Sequence, residues 1–474
     1  MTELNIDPNT EPSIKPNTES PSPYKGYWAG WKDLRKLGKP FWTLLLLLGV
    51  FASLERFIQF PVFTEPDGFG GLDWSTLIWL CGSLLIIVLG SVMDWLGLHR
   101  TMQILFAGSF VLFTSTYIAN VVTGYNFSDA GWIVFFTSII ILVNLSIIAQ
   151  YQGIRQFTTQ KQRGQAIILY EWVIGVFVVL GLFATTTIPV IEETTSTDVV
   201  DSGESFSYIL LLAIALAGVG LFLTWKMIKR KHHREEENSN NSVYVPVSAP
   251  FSGFSDVVRS AKTWRVLLLF FVLALVNCIF DATHLLLPVY NYIDPSDKSI
   301  LATELYYLAI SGGDLLSLIV AILLIPVIWR ISIAHTIKIC ALGMLAATVL
   351  FLIPFTGTAF GVSIAVSSFL LGVADFFIWI RFLEFALNAS PRGREGSMVA
   401  VLGIAWLLQE LLSKATKGLI EGQIDLAWTR NLIDMINPEA SAAHALWLIP
   451  LVPVMLGIIL LFVFQKYLFE STDA

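Results

Sequence analysis

The chain has 474 residues, 55% of them hydrophobic and only 14% charged, with 29 Lys and Arg against 36 Asp and Glu. A mean hydropathy of +0.70 excludes a water-soluble globule. The net charge of −7 sits mostly in the connections on one side and points to no nucleic-acid partner.

Residues 1–40 are polar and rich in Pro, Asn and Ser. They are expected to be disordered, to stay in the cytoplasm and to lack a signal peptide. They end in a basic cluster, Lys25, Lys32, Arg35, Lys36 and Lys39. Apolar blocks follow, each about long enough to cross a ~30 Å hydrocarbon core. The first six are 41–62, 75–96, 102–122, 131–152, 166–190 and 207–228. A polar linker, 229–263, interrupts them. Its first part is charged and low in complexity, while "SGFSDVVRSAKTW" reads as a short helix at the membrane surface. Further blocks lie at 264–290, 302–328, 334–354, 358–385, 397–419 and 444–466, before a cytoplasmic tail at 467–474. The expected fold class is an all-α polytopic membrane protein of about twelve spans. A six-helix bundle over 41–228 and another over 264–466 would rock about a central site.

Lys and Arg collect on the cytoplasmic side of a membrane protein. Alternate connections hold Arg100, then Arg155, Lys161 and Arg163, then "KMIKRKHHR" (226–234) with Arg259, Lys262 and Arg265. The series continues with Arg330, Arg392, Arg394 and Lys466. The opposite connections are acidic, with Glu65, Asp67, Asp73 and "IEETTSTDVVDSGES" (191–205), and only Lys298 and Arg430 interrupt them. Both termini are therefore expected in the cytoplasm, and the protein in the plasma or inner membrane. Cys81, Cys278 and Cys340 fall inside apolar blocks and imply packing, not a disulfide. The six His show no ligand spacing, so no metal or cofactor is expected.

An ionisable side chain at mid-membrane costs at least ~2.5–3.5 kcal/mol, so each one asks for a reason. "FASLERFIQF" (51–60) places Glu55 beside Arg56, with Glu55 roughly 20 Å along its span. Asp314 stands near the middle of "YLAISGGDLLSL", and Asp281 in the outer part of its span. Asp375 lies in the inner half of "GVADFFIWIRFLEF", and Glu410 one helical turn before Lys414. Arg381 and Glu384, three apart at a helix end, read as a structural pair. For the deeper carboxylates a shared proton or solute site is the stronger reading, because burial and a neighbouring cation push a carboxylate's proton affinity in opposite directions. Gln59, Asn144, Gln150, Tyr151, Gln152 and Trp172 would either hydrogen-bond a solute or hold helices together.

"GSVMDWLGLHR" (90–100) resembles the loop signature of the major facilitator superfamily, with Gly90, Asp94 and Gly97 matching and His99–Arg100 giving the basic end. That resemblance implies a latch in which Asp94 faces a helix N-terminus of the other bundle. Within the superfamily the chain is similar to the proton-dependent oligopeptide transporter family. "ASLERFIQFP" (52–61) keeps Glu55, Arg56 and Phe57 of its first-span motif, but has Ala52, Gln59, Phe60 and Pro61 where that motif has Glu, two Tyr and Gly. "QRGQAIILYEWVIG" (162–175) matches at Tyr170, Trp172 and Ile174. "NCIFDATHLLLP" (277–288) and "GVADFFIWIRFLEFALNASPRGREGSMVAVL" (372–402) resemble the segments that bear carboxylates in that family. Its fourth-span Lys has no counterpart in "NLSIIAQYQGIRQF" (144–157), where Ser146 stands instead.

The resemblance implies proton-coupled symport of a small polar metabolite, peptide-like or another organic solute, by alternating access. Proton coupling is expected at Glu55, Asp281, Asp375 and Asp314. The solute is expected at Arg56, Gln59, Gln152, Trp172 and Glu410, and the latch at Gly90, Asp94, Gly97 and Arg100. Partners are then the solute, protons and the bilayer, with a monomer expected. Proton-antiport export and solute sensing without transport stay open on the same residues. No nucleophile–base arrangement suggests an enzyme.

Overall fold

The computed structural model describes residues 37–62, 74–123, 129–177, 202–235, 252–293, 331–353, 358–391, 393–405 and 448–469, with isolated positions between 316 and 327 and at 409. All regular structure among the described residues is helical. Helix α1 runs Lys39–Val62, α2 Trp74–Leu96, α3 Leu98–Thr123 and α4 Asp129–Phe157. A 3-10 turn at Gln160–Gln162 leads into α5, described over 163–177, and α6 spans Ser202–Glu235. The linker forms α7, Ser252–Arg259. The second half holds α8 (Ala261–Ile293), α9 (Ile333–Leu352), α10 (Thr358–Ala389) and α11 (Glu395–Ala405). It continues with α12 (Leu448–Val463) and α13 (Gln465–Phe469).

Among the described residues, six stretches are long and apolar enough to cross a membrane. They are Leu98–Val122, Thr137–Phe157, Tyr208–Lys226, Ala261–Ile279, Ile333–Leu352 and Val362–Ala389. Several helices outrun the apolar blocks that predict them, because a helix once nucleated adds one backbone hydrogen bond per residue whatever the side chain. Caps end it instead. At the end of α2, Gly97 takes a left-handed φ of 79° and its N–H donates to the Met93 carbonyl at 2.7 Å. The expected block 302–328 lies largely outside the described residues, as does 406–419 apart from position 409.

The helices pack in two groups. In the first, α3 lies on α6, α2 and α3 on α4, and α1 on both α4 and α6. In the second, α9 lies on α10, α12 on α8 and α9, and α10 on α8. Helix α7 touches α8 and also α2 of the first group. Large apolar side chains face outward, Val122 at 78% exposure among them, as a lipid-facing surface requires.

Lipid tails are as apolar as leucine, so helices associate through close fit more than through water exclusion. Gly220 of α6 lies so near the Phe106 ring of α3 that an added Cβ would stand 2.2 Å from it. Gly153 of α4 admits Leu44 of α1 as tightly, at 2.1 Å. At Gly218, two residues earlier on the same helix, a Cβ would meet Phe110 at an ordinary 3.7 Å. Gly220→Ala should therefore destabilise the fold by about 1–3 kcal/mol. Gly218→Ala should be neutral or stabilising by up to ~1 kcal/mol, since alanine is the better helix former. Thermal unfolding of both variants in detergent compares them.

Candidate functional site

The two groups meet at the end that carries Gly97 and the connection 390–394. Asp94, in the last turn of α2, is 1% exposed, and its carboxylate crosses to the other half. Oδ1 accepts from the Gly396 N–H at 2.7 Å, and Oδ2 from the Ser397 N–H at 2.7 Å. Those amides belong to the first turn of α11, where backbone N–H groups have no partner within the helix and the helix dipole is positive. The Gln152 amide of α4 adds a third donor to Oδ1 at 3.2 Å, while its Oε1 accepts from the Thr101 hydroxyl at 3.4 Å. The close approach depends on glycine. A Cβ at Gly90, one turn before Asp94, would lie 2.1 Å from the Gly396 carbonyl oxygen, and a Cβ at Gly396 would lie 2.4 Å from that of Gly90.

Arg155 of α4 supplies the opposite charge. Its Nη1 donates to the Leu387 carbonyl at 2.5 Å and its Nη2 to that of Ser390 at 3.1 Å. These carbonyls close α10, whose C-terminal end carries the negative pole of the dipole. One half thus offers an acid to the start of α11 and a base to the end of α10, on either side of one short connection. Arg163 of α5 reaches the Asn388 side chain. Gly164 leaves room for the Glu384 carboxylate, which would stand 2.5 Å from a Cβ there. Glu384 pairs with Arg381 at 2.5 Å, as their spacing suggests, and Arg381 also donates to the Ile331 carbonyl at 2.6 Å. Outside this seam lies α7, with Asp256 bridging to Arg394 at 3.1 Å and Val257 buried against Met398 and Val401.

Glu395, the first residue of α11, lies 3.6 Å from the Arg155 Nε. Its carboxyl is pushed up to about 7, first by burial and next by the negative charge of Asp94, against the backbone amides and Arg155. Arg155 counters only weakly because its two Nη groups are aimed at carbonyls. Neither residue is legible as a partner from sequence, since nothing in the chain between them marks the crossing.

Of the residues singled out from sequence, Gly90, Asp94 and Gly97 come together here, and Arg100 is exposed at the first turn of α3. Gln152 lies in the seam at 6% exposure, its amide held by Asp94. Trp172 is half-buried on α5, packed against the core, and Asp375 is half-buried on α10. The side chains of Glu55, Arg56, Gln59 and Asp281 lie outside the described residues, as do Asp314 and Glu410. Glu171, between Tyr170 and Trp172, is a residue the sequence expectations omit. It receives a hydrogen bond from the Gln150 side chain and faces Tyr151. An acid inside an apolar block is itself the signal that finds it.

Two helical groups, joined by a linker and closed on each other at one end by charges that cap helix termini, make the architecture of a membrane carrier. Residues 152–409 match the family described as Major Facilitator Superfamily. The chain belongs to that superfamily, and it is a secondary transporter. No curated protein matches it in sequence. Among solved structures it is similar to a bacterial homologue of the iron transporter ferroportin in an outward-facing state, with 13% identity and a TM-score of 0.61 over 90% of this chain and 100% of that one. It is also similar to the proton:xylose symporter XylE, with 15% identity and a TM-score of 0.55 over 90% and 95%. The human organic anion transporter MFSD10 gives 14% identity and a TM-score of 0.54 over 89% and 97%. At these identities the likeness concerns the fold.

The seam generates expectations of its own. Asp94→Asn removes the charge that faces the α11 amides, and a hydrogen bond to a charged group contributes about 1.5–3 kcal/mol. The closed form should lose about 2 kcal/mol, or roughly 30-fold in population. A cysteine replacing buried Ser390, with Cys81, Cys278 and Cys340 changed to Ala, should then be alkylated correspondingly faster. Glu395 adds a pH dependence with a definite sign. In the closed seam it holds a proton up to about pH 7, against an ordinary 4.5. The closed form therefore binds more protons between those values, and its stability falls as pH rises through that window. Glu395→Gln should flatten this part of the slope of thermal midpoint against pH.

Proposed function

We propose that the protein carries a small polar metabolite across the membrane by proton-coupled symport, alternating between forms closed at either end. The observation that carries this reading is the Asp94 carboxylate seated on the Gly396 and Ser397 amides, a contact between halves that must break for the sealed end to open. Gly90, Asp94, Gly97 and Arg100 then act as the conformational latch. Basic residues crowd the sealed end, with Arg155, Arg163, Arg259, Lys262 and Arg394 near it, which supports a cytoplasmic assignment for that end and for both termini. The form described is then closed toward the cytoplasm.

Glu55, Asp281, Asp375 and Asp314 are the carboxylates proposed to exchange protons, with Arg56, Gln59, Gln152, Trp172 and Glu410 toward the solute. The Glu55–Arg56–Phe57 motif supports likeness to proton-driven peptide carriers. The missing fourth-span Lys widens the solute class beyond peptides to other polar organic molecules. The transporter works as a monomer in a plasma or inner membrane.

Proteoliposomes holding a pH-sensitive dye test this, with a panel of dipeptides, sugars and amino acids added outside. Internal acidification with at least one solute is the expected outcome, and Glu55→Gln should abolish gradient-driven uptake while leaving solute counterflow. Alkalinisation would indicate antiport, and thermal stabilisation by a solute without any flux would indicate a sensor.

A further inference from the structure

Helix α5 changes character along its length. From Arg163 to Tyr170 every residue is buried, where the helix is wedged into the seam against Asn388 and Glu384. From Glu171 to Phe177 no residue is fully buried. Successive residues point about 100° apart, so no face of the helix stays sealed beyond Glu171. Glu171 is thus the first position on α5 that is not fully buried, about 12 Å along the helix from Arg163. A carboxylate there does not face lipid, because acids within spans turn to the protein interior or to a watery path.

The described surroundings of Glu171 are polar and include no cation. From α4 it meets the Gln150 amide, which donates to it, and the Tyr151 phenol. Helix α1 packs against the far end of α5 through Gly49 and Ser53, both uncharged, with the Ser53 hydroxyl donating to the Phe177 carbonyl at 2.9 Å. Among the described residues, the second half meets α5 two turns lower, at Arg163 and Gly164. No Lys or Arg among the described residues pairs with Glu171. An ionisable residue within a span marks a path for ions or solute by default. The same helix α4 that presents Gln150 to Glu171 presents Gln152 to Asp94 and Arg155 to the α10 carbonyls. Positions 150 and 152 point to nearly opposite sides of α4, so one rigid element lies between the acid and the seal.

We infer that Glu171 is a proton-exchange residue at the inner floor of the transport path, loaded from the open side while the seam below it is shut. The inference rests on the reading of the protein as a proton-driven carrier and adds to it a residue in the first half, away from α1. In the closed form the proton enters from the open side onto the carboxylate and leaves Gln150 as a hydrogen-bond partner of the neutral acid. When the seam opens, α5 is released from Asn388 and Glu384, and the same carboxyl returns its proton to the other side.

Protons alone suffice as the first probe. Infrared difference spectra of the purified protein in detergent, cycled between about pH 5 and about pH 9, report a protonated carboxyl as a carbonyl band. We expect one such band to be absent in Glu171→Gln, retained in Glu55→Gln, and shifted in Glu171→Asp. Glu171→Gln keeps the size of the side chain, and gel filtration with thermal unfolding checks its fold; should it not fold, Glu171→Asp carries the test. A spectrum of the variant identical to that of the wild type overturns the inference. In proteoliposomes, Glu171→Gln should lose at least tenfold of gradient-driven uptake and keep counterflow. Equal acidification by wild type and variant would sink the role of Glu171 alone. Solute flux in the wild type without any proton movement would sink the proton-driven reading itself.

Discussion

Everything at the sealed end depends on one constraint: a carboxylate buried to 1% exposure must be surrounded by donors. Among the donors Asp94 finds are two backbone amides at the start of a helix from the other half, and the Gln152 amide. That choice of partner fixes much else. Backbone amides can be reached only if the helices nearly touch, so Gly90 and Gly396 are required where they stand. The turn that ends α2 must leave Asp94 directed at α11, and Gly97 makes it with a φ that side chains rarely adopt. Gln152 then serves as a strut, positioned by Thr101 on the neighbouring helix.

The seam also shows how a membrane protein places strong charges where lipid or a dry core would reject them. Arg155 and Asp94 both reach across to the opposite half. Each neutralises a helix pole in the opposite half, so each has a partner that is itself unsatisfied without it. Glu395 is the exception, an acid placed beside another acid and only partly relieved by Arg155. That local misfit makes the seam sensitive to pH.

Much of this was readable in the chain. Apolar blocks locate the helices, because a span cannot be built otherwise, and the spacing of Gly90, Asp94 and Gly97 marks the turn and the acid. The helix ends were less legible: α4 continues to Phe157 and α6 to Glu235, since polar residues extend a helix as readily as apolar ones. Gln152 reads in the sequence as a solute ligand or as helix glue, and only the fold directs it to Asp94. The partners of Arg155 are backbone carbonyls, which have no side chain to be recognised by. Glu171 was hidden by its neighbours, because Tyr170 and Trp172 draw the eye to a motif that does not include it.

The end of α10 and the start of α11 are separated only by residues 390–394, and the first half grips both. Pulling the halves apart would strip counter-charges from both helix poles, because the first half supplies both. The two grips share one short connection, so the force that loosens either bears on the other.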